Sequence, residues 1–205
     1  MLQQALRRPQ PQQEISLVRE APRIETERLI LRQFGAGDLD AHSATLGDEE
    51  VMRHVGGKAL NREDAWRRLL GGIGMWSLIG MGPWAVEQKS DGRMVGHCGF
   101  FQFERDMTPK ILGEPEMGWM FDRTVHGQGI AFEACQAALE WAEDALAVES
   151  FPAIIDFENA ASIKLAERLG YVRQEDANYR DAPIAFFRRP GRLPASTAST
   201  AATAS

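Results

Sequence analysis

Two glycines separated by one residue, Gly127 and Gly129 in "VHGQGIAFEACQAALEWA", give the first chemical signal in the chain. Glycines at this spacing let successive backbone N–H groups turn inward into an anion nest, and a helix starting there adds the positive end of its dipole. The loop follows the apolar stretch "EMGWMF" and runs into Ala131, Ala134, Cys135, Ala138 and Ala142, spaced for one helix face. Strand, glycine loop and helix in that order suit a phosphate on a helix N-terminus. Two familiar phosphate motifs are excluded. No G-x-x-x-x-G-K-[ST] run occurs. Phe132 stands where the dinucleotide fingerprint needs its third glycine. Plain strand-to-helix turns use the same spacing, so these residues alone leave both readings open.

The surrounding pattern supplies the elements. "RLILRQF" (Arg28–Phe34) alternates as a strand, and Asp38 in "GAGD" is placed to cap a first helix into Leu46. Asn61, with Asp64 three residues on, predicts a capped second helix whose Trp66, Leu69, Leu70 and Ile73 share one face, with Gly71 and Gly72 weakening it. "PWAVEQKSDGRMVGHCGFFQF" predicts a hairpin turning at "KSDG". After "EPEMGWMFD" and the glycine loop come a helix from about Gly129 to Leu146, the short strand "FPAIID", the helix "ENAASIKLAERLGYV" ending at Gly170, and a last strand "APIAFFRR". This order implies an α+β architecture with a mixed sheet and helices on both faces.

The chain of 205 residues carries a formal net charge of -6 and allows one medium domain. That balance gives no electrostatic case for nucleic acid. No apolar run approaches the ~20 residues of a membrane span. The two cysteines, Cys98 and Cys135, lack metal-ligand spacing and read as reduced thiols of a cytoplasmic protein. Residues 1–22, with "RRPQPQQE", read as a mobile arm, and 190–205, "PGRLPASTASTAATAS", as a low-complexity tail, leaving a domain at 23–189.

Several of these segments together resemble the GNAT superfamily of acyl-CoA-dependent N-acyltransferases, most nearly its RimJ/RimL type. "HGQGIA" is similar to that family's [RQ]-x-x-G-x-[GA] loop, with "IETERLILRQF", "EMGWMF" and "ENAASIKLAERLGYV" in matching order over 23–189. The resemblance implies a GNAT-like, mostly antiparallel sheet of six to seven strands and acetyl-CoA as cosubstrate, without a metal. Gly127, Gln128, Gly129, Ile130 and Ala131 would offer N–H groups to the pyrophosphate, with His126 as a donor or a bystander. Met120, Phe121 and Arg123 would meet the pantetheine arm where the fourth strand splays from the fifth, and Asn159 the same arm. Where many members carry a Tyr that protonates the thiolate, this chain has Ala166; Ser162 occupies the RimL-like alternative.

Acetyl transfer to an amine needs that amine neutral, and a carboxylate in contact could take its proton. On the resembling fold Glu116 is the candidate base and Glu114 its competitor. His97 and Cys98 are adjacent on a strand and point to opposite faces, which argues against a covalent cysteine route and for direct transfer. His42, His54, Trp76 and Trp84 fall where such a fold places its acceptor: an amine on a protein N-terminus or a small molecule. The likeness equally admits an acyl-CoA-binding module without turnover, and a homodimer.

Overall fold

A computed structural model describes residues 19–192. Strands β1 (Ile24–Glu25) and β2 (Leu29–Arg32) precede helices α1 (Leu39–Gly47), α2 (Glu49–Met52) and α3 (Arg62–Ile79). The hairpin β3 (Pro83–Gln88) and β4 (Met94–Phe101) follows, then β5 (Met107–Thr108) and β6 (Glu116–Phe121). Helix α4 (Ile130–Ala145), β7 (Ser150–Ile155), α5 (Ala160–Arg168), β8 (Val172–Arg173), β9 (Ala177–Tyr179) and β10 (Ala182–Pro190) complete the order.

The α+β architecture is as expected, with the strands divided between two sheets. One runs β1-β2-β3-β4-β6; the other runs β5-β9-β10-β7, with β8 also on β10. Every ladder among the described residues is antiparallel, which corrects the expected mixed sheet. The strands beyond the expected six or seven are fragments of two or three residues, too short to show a period. β6 and β7 lie close but share no ladder, so each presents unpaired backbone groups to the gap between them.

Strand alternation sends side chains to two layers of helices. Trp84 and Val86 of β3, with Cys98 and Phe100 of β4, bury against Ala134, Cys135, Ala138 and Ala142 of α4. The intervening Ala85 packs with Phe34, Leu69 and Met94 under α1 and α3. Small residues on α4 allow that close approach. Trp76 of α3 stands edge-on to Trp84 and Trp141, with ring centroids 4.6 and 5.4 Å away. The Trp76 and Trp84 indoles donate to the carbonyls of Pro83 and Pro22. Both are therefore core residues, and neither faces an acceptor.

Local signals mostly hold. Asn61 caps α3 by accepting from the Asp64 N–H at 2.9 Å. Gly71 and Gly72 leave α3 unbroken, and a Cβ on Gly72 would stand 2.8 Å from the Pro83 ring, so its bareness admits β3. Leu70, expected on the apolar face, is exposed. Asp38 precedes α1 without capping it, because its carboxylate is taken by Arg32 and the Gly35 N–H.

The packed chain also begins and ends wider than 23–189. Ala21 is buried and donates its N–H to Gln33, and the Gly191 N–H reaches the Glu149 carbonyl. The remainder of the expected arm and tail, 1–18 and 193–205, lies outside the described residues. No helix among the described residues is long and apolar enough to cross a membrane.

Candidate active site

The gap beside β6 opens into a cavity of about 730 Å³. Its walls bring together Met120, Phe121, Arg123, His126, Gly127, Gly129, Ala131, Asn159 and Ser162. Gln128 and Ile130 do not line it: Ile130 is buried beneath α4, and the Gln128 carbonyl turns outward to Arg28.

The head of α4 has the geometry of an anion cradle. Gly127 and Gly129 sit at φ of 74° and 78°, left-handed values that a side chain would strain. Among the described residues, no N–H from Gly127 to Phe132 donates to a backbone carbonyl or a side chain. The helix starts at Ile130, so three of these are the orphan donors of its first turn. Six consecutive unsatisfied donors at a positive helix end, with Gly127, Gly129, Ala131 and Phe132 on the cavity wall, suit a multiply charged phosphate. Lys164 and Arg168 project from α5 into the same cavity, and neither has a carboxylate partner among the described residues.

His126 is held differently from a phosphate ligand. Its Nε2 lies 3.0 Å from the Phe121 carbonyl, which can only accept, so Nε2 carries the proton and ties the loop back to the end of β6.

A second tie comes from the start of the chain. Arg28 donates from Nη1 to the Gln128 carbonyl at 2.9 Å and from Nε to Glu133 at 2.6 Å. Glu133 also accepts from the Arg28 N–H and the Thr26 hydroxyl. Burial by itself raises Glu133, but the Thr26 and Arg28 hydrogen bonds outweigh it and hold the carboxyl below its usual range. Nothing local in the sequence marks Arg28, since its partners lie a hundred residues on. If the cradle takes the CoA pyrophosphate, as the resemblance implies, Arg28→Ala should weaken CoA binding about tenfold, read by calorimetry, while an unchanged affinity would show that the loop keeps its shape unaided; one lost charge-assisted bond of ~1.5 kcal/mol sets the scale.

Across the cavity, Asn159 caps α5 by accepting from the Ser162 N–H at 3.1 Å. The Ser162 hydroxyl accepts from the Trp119 indole at 3.2 Å, which leaves its own proton free. Trp119 was not singled out in the sequence. Ala166, one turn after Ser162 on α5, is fully buried and does not line the cavity.

Glu116 is placed elsewhere. It is buried at the other end of β6, where its two oxygens accept from Arg105 Nε at 2.5 Å and Nη2 at 2.8 Å. The Arg105 guanidinium is itself sandwiched between the rings of Phe103 and Tyr179. Glu114 precedes β6 and pairs with Arg188 and Ser150. Neither carboxylate lines the cavity.

His42 is also buried, between Phe34 and His97 at ring distances of 5.2 Å, with both ring nitrogens unpartnered among the described residues. His54 does reach the cavity wall, beside Glu50 and Val51. Cys98 and Cys135 are both free and buried within the α4 layer.

Comparison with known proteins agrees with this geometry. A family model described as an acetyltransferase (GNAT) domain matches residues 28–172. The protein YkkB of Bacillus subtilis (strain 168) is 31% identical over 110 residues, 54% of this chain; the chain spans only 62% of that protein's length. The uncharacterized N-acetyltransferase p20 of Bacillus licheniformis is 28% identical over 82% of this chain and 89% of its own length. A solved structure from Bordetella pertussis, described as a GnaT-family acetyltransferase, superposes with a TM-score of 0.71 at 28% identity, covering 82% of this chain and 99% of that one. RimL, a ribosomal L7/L12 α-N-protein acetyltransferase solved with coenzyme A, shares the fold at a TM-score of 0.68 and 15% identity, over 84% of this chain and 100% of its own.

Proposed function

Because this chain belongs to the GNAT acetyltransferase family, we propose that it passes the acetyl group of acetyl-CoA directly to a primary amine, within one ternary complex. The amine is a protein N-terminal α-amine or that of a small molecule. One observation carries the reading: the row of unsatisfied N–H groups at the head of α4, of which Gly127, Gly129, Ala131 and Phe132 line the cavity, faces Ser162 on the other wall.

The residues present fit the cosubstrate. Gly127 to Ala131 would hold the pyrophosphate through their N–H groups, with Lys164 and Arg168 adding positive charge at the mouth. The open edge of β6 at Met120 and Phe121, with Arg123 beyond it, would take the pantetheine arm, and the Asn159 amide NH₂ remains free to donate to it. Acetyl-CoA supplies an activated thioester. Ser162, oriented by the Trp119 indole, holds the proton that the departing sulfur needs. Glu116, with both oxygens occupied by Arg105, is a structural ion in this scheme.

Incubation with acetyl-CoA and a panel of amines, with free thiol followed over time, tests the function. Thiol release that depends on the amine is the expected result. Ser162→Ala should lower kcat on the order of 10²-fold at nearly unchanged KM for acetyl-CoA. CoA at 100 times its Kd should stabilise the fold by ~2.7 kcal/mol. Tight CoA binding with no thiol released for any amine would favour a binding module instead.

A further inference from the structure

With both carboxylates of the β6 segment in ion pairs away from the cavity, the group that takes the amine's proton must lie elsewhere. His54 is on the cavity wall, in the turn after α2, close to Val51 and Val55, which pack on Met120 of β6. Its Nδ1 faces Asp156 Oδ1 at 3.4 Å, and its side chain is only 20% exposed. Asp156 is fixed in turn at the end of β7: its Oδ1 accepts the Glu158 N–H at 2.7 Å and its carbonyl accepts the Asn159 N–H. The pair stands at ion-pair distance without a formed hydrogen bond, and the anchored carboxylate favours the tautomer with its proton on Nδ1, which leaves Nε2 as a lone-pair acceptor. The same Asn159 turn positions Ser162, so one short segment holds both halves of a proton-transfer system.

We propose that His54, oriented by Asp156, is the general base of the acetyl transfer, and that Asp156 is its positioning residue. The assignment rests on the acetyl-transfer reading above. His54 Nε2 takes one proton from the incoming ammonium and leaves a neutral amine. The nitrogen lone pair forms the C–N bond, and the C–S bond breaks with its electron pair going to sulfur. Ser162 gives its proton to that sulfur and regains one from the nitrogen, directly or through water. His54 then releases its proton to solvent, so ammonium and thioester become amide, thiol and one proton. The charged or titratable groups around it are Asp156 on β7's end, Glu50 on α2, Glu158 before α5, and Arg123 and His126 after β6.

The test compares the full chain with His54→Gln and Asp156→Asn, using acetyl-CoA and an amine that the wild type accepts. His54→Gln is expected to lower kcat about 10²- to 10³-fold, with CoA affinity and the CoA-induced rise in Tm retained. It should also erase the acidic limb of the pH profile of kcat/KM. Asp156→Asn should keep that limb and lose about tenfold in kcat. A kcat within threefold of wild type for His54→Gln, or a raised KM for acetyl-CoA at unchanged kcat, would overturn the assignment; the latter would make His54 a tether across the groove. A wild type that binds CoA but releases thiol with no amine overturns the acetyl-transfer reading itself, and the assignment with it.

Discussion

Taking the protein from pH 7 down to about pH 4 is expected to remove on the order of 3 kcal/mol of folding stability through His42 alone. Burial, reinforced by the nearby Arg68 charge and only partly offset by Asp38, pushes the His42 imidazole from 6.5 to about 4. Burial, then His42 and Arg68, push His97 to about 3. The unfolded chain protonates both rings as pH falls below 6.5, while the folded chain does not until pH 3 to 4. The unfolded state therefore binds more protons across that window, and stability is full above 6.5 and drains as the pH drops. The absence of any partner on either His42 nitrogen among the described residues fits a ring that stays neutral. Urea titrations at pH 7, 5.5 and 4.5 measure the slope, and His42→Leu should roughly halve it, with His97 keeping the remainder. A wild-type slope matching that of the variant would count against the prediction.

The second large effect concerns Arg105. Arg105→Met keeps much of the side-chain volume but leaves the Glu116 carboxylate buried without its counter-ion, at a cost of about 3–5 kcal/mol. The stacking on Phe103 and Tyr179 goes with the guanidinium. Adding Glu116→Gln should recover most of the loss, since the charge that needed pairing is then gone. Denaturant midpoints of the two singles and the double close the cycle. A loss below 1 kcal/mol for Arg105→Met would mean that Glu116 has another way to be solvated. The same variants speak to chemistry. Glu116→Gln should keep turnover within a few-fold if the ion is structural, whereas a base would lose ~10²–10⁴.

What could be read in the sequence, and what could not, divides by sequence distance. The glycine loop, the Asn61 cap and the "KSDG" hairpin are local devices, decided by residues within four positions of one another, and the structure shows each. Met120, Phe121, Arg123, Asn159 and Ser162 were legible only through the resemblance to a known family, since no local pattern of their own marks them. The partners of charged groups were not legible. Arg105 lies in a stretch with no periodicity, and only folding sets it against Glu116. Arg32 takes Asp38 from its capping role across a turn whose shape no propensity dictates. His54 and Asp156 are a hundred residues apart and touch only because the turn after α2 crosses the end of β7. A carboxylate on the right strand was visible; whether its oxygens were free was not.

The bond between Arg28 and the Gln128 carbonyl has a consequence for how the protein is made. The loop residues lie in one short stretch, yet the clamp that sets their shape spans most of the domain. During synthesis β2 leaves the ribosome first and waits for the partner segment, so loop-closure entropy delays the clamp until most of the chain is out. The cradle therefore cannot be finished before Glu133 has emerged. A nascent chain carrying every residue of the glycine loop, but not yet folded back on β2, would meet coenzyme A without a finished place to put it.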